Sequence, residues 1–233
     1  MDIVWTRTTP PDGIKAQPWV TPWHVWGKDP NDDWRDPTKF WLNRIPGYCA
    51  RVPDDDVLVW SPESIPAGVE GDAWHAAHLS AVRQYHSGPI SLYSRVPVRA
   101  EWNLGVQPWP AHAGLLRANR ESWRRLGPLV DRIGPDLYRA EKSLSTWLRF
   151  ADRQLRICRD LTDKPIDAWM MLRYHPACSK KGQAIDPDEL DVMFRAVLAR
   201  LSPGDRIIIW PEPDDPTAEA LAALRAIAGE GRP

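Results

Sequence analysis

The chain has 233 residues, 43% of them hydrophobic, which is enough for one α/β domain with a full core. Thirty Lys and Arg against 31 Asp and Glu leave a net charge of -1 without a basic tail, which removes the electrostatic case for nucleic acid. Cys49, Cys158 and Cys178 lie far apart and lack C-x-x-C spacing, so they read as reduced structural thiols, and no apolar run reaches the length of a membrane span.

Met1-Asp2-Ile3-Val4-Trp5 lacks the basic and apolar regions of a secretory signal. The expectation is a cytoplasmic protein, or a component of a virion or other assembly. Residues 2–5 read as a first strand. A Trp/Pro-rich loop segment follows at about 6–52, with Trp19, Trp23, Trp26, Trp34 and Trp41 and a short helical piece at 37–43. Large apolar residues with so little regular pattern need a partner surface, so this segment is the expected contact for protein assembly partners. The acidic run Asp54-Asp55-Asp56 is a solvated turn before a strand at 57–60.

A helix is expected over 71–86, its inner face supplied by Trp74, Ala77, Leu79, Val82 and Tyr85. Gly88-Pro89 stops it ahead of a strand at 90–93. Another Trp/Pro loop covers 97–112, and helical pattern runs from Leu115 to Arg125 with a short second piece at 128–133. A strand at 136–138 precedes a helix to about Leu161, N-capped by Ser143. After a strand at 166–172, a helix runs from Asp186 or Pro187 to Leu201. A strand at 206–210 and a final helix over 218–228 complete the chain.

Strands alternating with helices imply a parallel sheet whose C-terminal strand ends share one side. The period fits a (β/α)8-type TIM barrel near its lower length limit, with one irregular or missing unit, in a single domain spanning 1–233. An open doubly wound sheet is the alternative. Neither G-x-G-x-x-G nor G-x-x-x-x-G-K-[ST] occurs, so no nucleotide cofactor is expected.

Five strands end in an aromatic residue and then turn polar: Trp60, Tyr93, Tyr138, Trp210, and the run Leu172-Arg173-Tyr174-His175. On one face they would form a mouth suited to a carbohydrate. Glu63, three residues past a strand end and close to Trp60, is the leading general acid, because an indole beside a carboxyl removes hydration and raises its pKa. Glu141 and Glu212 are the candidates for a second carboxylate. Arg95, Arg139 and Arg173 either pair with these acids or bind an anionic sugar. Tyr93, Tyr138 and Tyr174 offer hydroxyls to a sugar, and His175 is the best-placed histidine. His75 and His78 stand three apart on a helix without a third ligand at sensible spacing, so no metal is expected.

Taken in order, these strand ends resemble the hyaluronidase-like branch of the (β/α) barrel glycoside hydrolases. The matching pieces are Ile3-Val4-Trp5, Ser61-Pro62-Glu63 with Pro66, Pro135-Asp136-Leu137-Tyr138, Arg173-Tyr174 and Ile207-Ile208-Ile209-Trp210. The resemblance implies that Glu63 protonates the leaving oxygen while the substrate's own 2-acetamido group attacks the anomeric carbon. It also implies an Asp where this chain has Ser61, so the Asp-x-Glu motif has become Ser-x-Glu. A serine cannot supply the negative charge that stabilises the oxazolinium-like intermediate. Two readings follow. The first is a glycosidase acting on an amino-sugar polysaccharide, with Trp60, Tyr93, Arg95, Tyr138, Arg173, Tyr174, His175 and Trp210 holding the glycan. The second is an inactive barrel serving as a structural or carbohydrate-binding part of a larger assembly such as a phage particle.

Overall fold

The computed structural model describes residues 2–5, 15–16, 45–61, 68–97, 113–140, 143–175 and 179–210. Among them are seven strands: β1 (Asp2–Trp5), β2 (Lys15–Ala16), β3 (Leu58–Trp60), β4 (Ile90–Tyr93), β5 (Arg132–Gly134), β6 (Asp167–Met171) and β7 (Arg206–Trp210). Five helices accompany them: α1 (Ile45–Cys49), α2 (Val69–Val82), α3 (Ala113–Leu126), α4 (Leu144–Leu161) and α5 (Pro187–Leu198). Local chemistry sets the helix starts. The Ser143 hydroxyl accepts from Thr146 N at α4, and the Asp186 carboxylate accepts from the amides of Asp188 and Glu189 at α5, where Pro187 opens the first turn.

Every strand pairing is parallel. β3, β4 and β5 form one sheet, and β2, β1, β7 and β6 the other. Single bridges, Ile133 to Ile166 and Asp136 to Trp169, link β5 with β6. Paired neighbours therefore follow chain order from β3 to β7, and the last strand lies beside the first. The helices keep the same order, each packing against the next from α1 to α5.

Successive side chains of a strand point to opposite faces, and this alternation divides the core in two. Leu58, Trp60, Ile90, Leu92, Ile133, Ala168, Met170, Ile207 and Ile209 pack on the helices in the larger cluster. Val59, Tyr93, Tyr138, Trp169, Met171 and Ile208 form a second cluster on the opposite, inner face, with Trp210 against it. Both faces are covered, so the strands read as near-continuous apolar runs, as parallel strands do.

The inner face changes character along the strands. At the N-terminal end of β6, the fully buried Asp167 carboxylate is shared by two arginines. Arg206 grips it through Nε at 2.9 Å and Nη2 at 2.8 Å, and Arg132 through Nε at 2.7 Å. Burial pushes the Asp167 carboxyl up, but Arg206 and then Arg132 outweigh it and hold the group below the usual carboxylate range. Further along, Gly134 leaves room for an indole. A Cβ there would lie 3.0 Å from Trp169 Nε1 and 3.1 Å from Leu92 O.

Four expectations are corrected. The fifth strand is Arg132–Gly134 in place of 136–138, and the helical piece at 128–133 is a 3-10 turn, Gly127–Leu129, running into that strand. Pro135 has no amide for the ladder, so beyond it only the single bridge at Asp136 remains. Helix α2 buries Asp72, His75, His78, Leu79 and Val82, whereas Tyr85 is 53% exposed. The helix expected to reach Leu201 ends at Leu198. Within the 6–52 segment, β2 and α1 are formed. The helices expected at 37–43 and 218–228 lie outside the described residues.

Replacing Asp167 by Ala strands two guanidiniums in the interior. The expected cost is about 3–5 kcal/mol, the range for breaking a buried ion pair from one side. Urea denaturation measures it, and a loss below about 1 kcal/mol would mean that solvent reaches the arginines.

Candidate functional site

On the inner face, Tyr93 at the end of β4, Trp169 in the middle of β6, Trp210 at the end of β7 and Tyr138 on the segment after β5 carry rings, and these rings meet. Tyr93 lies 4.7 Å from Trp169 and 6.3 Å from Tyr138, centroid to centroid. Trp210 stands 6.2 Å from Trp169 and, edge to face, 6.4 Å from Tyr138. His175, on the loop after β6, stacks on Tyr138 at 5.9 Å with planes 27° apart. Such spacings are the favourable range for aromatic pairs. Tyr93, Tyr138 and Trp169 are buried, whereas Trp210 and His175 are only half-buried and carry the cluster towards the surface.

Main-chain geometry fixes the rings in place. The amides of Trp169 and Leu137 bond to the carbonyls of Pro135 and Trp169, and His175 N bonds to Arg139 O at 2.9 Å. Ser94, directly after Tyr93, holds φ at 54° in the left-handed region and donates its amide to Gly134 O at 2.8 Å. A non-glycine residue in that region is strained, and such strain concentrates at functional sites.

Sequence reading did not single out two members of this region. Trp169 sits mid-strand, hidden in an apolar run, and its Nε1 is buried without a hydrogen-bond partner. Asp136 is 4% exposed, with Oδ1 accepting from Tyr138 N at 2.9 Å. Gly134 and Tyr138 belong to the inner face and Leu137 to the helix face, so alternation puts Asp136 on the inner face with the rings. The available signal was a carboxylate two residues ahead of an aromatic strand end.

Other sequence-read residues go elsewhere. Trp60 follows the inner-facing Val59, so its ring turns to the helices. Its Nε1 donates to His75 Nδ1 at 3.1 Å, and it stacks with Trp74 and His78. Arg95 donates to Asp72 Oδ1 through Nε at 3.1 Å and Nη2 at 2.6 Å, while Ser122 and Arg125 occupy the other oxygen. Arg173 Nη1 donates to Gly182 O at 2.8 Å. Tyr174 lies on the helix side with its hydroxyl on Glu189 at 2.9 Å, and Arg139 and Lys180 lie against its ring. Ser61, the first residue after β3, is buried. Glu63, Glu141 and Glu212 lie outside the described residues.

Among the described residues, no three His, Cys, Asp or Glu side chains form a group able to hold a metal ion. Nor is any described helix long and apolar enough to cross a membrane. Burial raises the Cys49 thiol to about 11 and the Cys158 thiol further, so neither is a ready nucleophile.

No protein-family model matches the chain, and no curated protein matches it in sequence. Solved structures do match in fold. Bee venom hyaluronidase, determined in complex with a hyaluronic acid tetramer, superposes with a TM-score of 0.58 at 12% identity, covering 83% of this chain and 72% of that one. A GH18 chitinase from Pseudoalteromonas aurantia gives 0.50 at 13% identity, over 82% of this chain and 68% of the other. A putative alpha-L-fucosidase from Bacteroides thetaiotaomicron gives 0.51 at 10%, over 82% and 61%. The chain thus shares an α/β fold with these solved structures.

The Trp60 partner has a measurable pH signature. Burial first, then the charges of Arg95 and His78, push the His75 imidazole down to about 3 from the ordinary 6.5. The unfolded chain therefore takes up a proton below pH 6.5 that the folded chain refuses, and stability falls as pH falls. Between pH 6.5 and 5 the loss from this group is about 1.5 kcal/mol. His75→Asn keeps an acceptor for Trp60 Nε1, and its denaturation midpoint is expected to lose that part of the pH dependence. An unchanged slope would place the titration elsewhere.

Proposed function

We propose that the chain completes a (β/α) barrel of the hyaluronidase-like type, as one domain over 1–233, and that it acts on or binds an amino-sugar polysaccharide. The observation that supports this most is the cluster of Tyr93, Tyr138, Trp169, Trp210 and His175, on the inner face and on the segments that follow β5 and β6. Parallel α/β folds place their active sites on that side. Stacked rings with polar edges suit the apolar faces and hydroxyl rims of sugars.

In this reading Glu63 is the general acid. Its proton passes to the glycosidic oxygen as the bond from that oxygen to C1 breaks, and the bonding pair leaves with the oxygen. The carbonyl oxygen of the substrate's 2-acetamido group forms the new bond to C1. Water then attacks C1, releases the acetamide and returns a proton to Glu63. Glu141 and Glu212 are the alternative second carboxylates. Tyr93, Tyr138, His175 and Trp210 line the sugar site, with Ser61 beneath the acetamide and Arg173 at the rim. Trp60, Arg95 and Tyr174 support this site from the helix side.

Ser61 favours a second reading. Without a carboxylate at that position, the barrel would bind glycan without cleaving it, as a structural or carbohydrate-binding part of a larger assembly such as a virion. The Trp/Pro-rich segment at about 6–52 would then meet the partner.

One substitution separates the two. Glu63→Gln is expected to reduce release of reducing ends from hyaluronan, chitin or peptidoglycan by about 100- to 10,000-fold, the scale of losing a general acid. Wild-type protein that binds one of these glycans yet releases no ends from any of them would establish the second reading.

A further inference from the structure

We infer that the seam between α3 and α4, on the outside of the fold, binds an anionic polysaccharide along a stripe of arginines. The inference goes beyond the reading above, because this surface lies across the helix layer from the ring cluster. Two turns of α3 supply the core of the stripe. Arg117, Arg120 and Arg124 are exposed and, among the described residues, no ion pair or hydrogen bond holds any of them. Arg95, Arg125, Arg132, Arg139 and Arg206, by contrast, are each held by a carboxylate. Spacings of three and four residues put the three free guanidiniums on one side of the helix, about 4.5 and 6 Å apart along its axis.

Helical periodicity decides where the stripe points. Arg125 turns to α2, where it bonds Asp72 at 3.0 Å. At about 100° per residue, Arg117, Arg120 and Arg124 lie on the other flank of α3, outward and towards α4, which packs beside it. The same rule separates two flanks of α4. Asp152 reaches Arg200, just beyond α5, at 2.7 Å, so that flank faces α5. Arg153, one residue on, belongs to the α3 side, with Arg149 one turn before it. Five arginines thus line one seam, against Glu121 on α3 and Asp160 near the end of α4. The whole chain carries a net charge of -1, so this positive surface is a local feature of the fold.

The make-up of the seam selects among polyanions. A guanidinium is a planar fork that matches the oxygens of carboxylate, sulfate and phosphate groups. A folded protein partner needs an apolar anchor at the centre of its interface, and the exposed residues of α3 and α4 include no large apolar side chain. Single-stranded nucleic acid needs exposed rings on which bases stack, and these two helices expose none. A hydrated sugar chain with anionic groups along it needs neither.

Calorimetric titration of the full chain with polygalacturonate or dextran sulfate, at about 50 mM salt, tests this surface, with neutral dextran as the control. The two charged polymers are expected to bind and neutral dextran is not, and affinity should fall as salt rises. Combining Arg117→Gln, Arg120→Gln and Arg124→Gln is expected to weaken Kd about 3- to 100-fold at an unchanged melting temperature. Glu121→Gln removes an opposing charge and is expected to tighten binding about twofold. Arg156→Gln, at a residue that Asp152 already holds, is expected to change little. Charged polymers that do not bind the wild-type protein, or that bind the triple variant as tightly, would overturn the inference. So would a single-stranded oligonucleotide that binds through the same arginines more tightly than either glycan. The triple variant is expected to treat short amino-sugar oligosaccharides at the ring cluster as wild type does. Loss of the polyanion result therefore leaves the proposed function standing, and loss of the proposed function leaves this surface standing.

Discussion

Alternation along a parallel strand is the constraint on which everything else here depends. Each strand has one face for the helices and one for the inner space, and the order of residues decides which side chain goes where. Val59 inward sends Trp60 outward; Ile208 inward brings Trp210 inward two residues on. Three strands and the segment after β5 thereby deliver rings to one place on the inner face. A shift of one residue in any of them would exchange a ring of the cluster for a residue of the helix interface.

Buried charge is organised around the same division. On the inner face, at the opposite end from the rings, Asp167 is closed by Arg132 and Arg206. On the helix face, Asp72 gathers Arg95, Arg125 and the Ser122 hydroxyl, tying the end of β4 to α2 and α3. Arg159 holds the buried Asp205 at the other strand ends, whereas Arg83 with Asp131 is a surface pair. The buried pairs satisfy charges that would otherwise be costly to bury.

Likeness of fold to a hyaluronidase and a chitinase describes a scaffold, and scaffolds of this kind host many reactions. Function therefore turns on side chains at the strand ends. In the proposed function, rings able to stack on sugars supply affinity, while turnover requires carboxylates in defined positions.

The sequence by itself determined the strand and helix order, because apolar runs of strand length, Ser143, Asp186 and Pro187 are local signals that the chain obeys. It also put Tyr93 and Trp210 at strand ends, whereas Tyr138 and His175 lie on the segments that follow β5 and β6. Tertiary structure decided the facing. Arg132 looked helical because Pro128 and the apolar Leu129, Val130 and Ile133 fit a turn of helix, yet pairing with β4 made it a strand. The helix α2 looked apolar on a stripe including Tyr85, but partners from β3 and β4 let it bury Asp72 and His75 instead. Whether a Trp meets a sugar, as proposed for Trp210, or a histidine, as with Trp60, depends on register against a neighbour distant in sequence. That information lies in the pairing of strands, and no local pattern holds it.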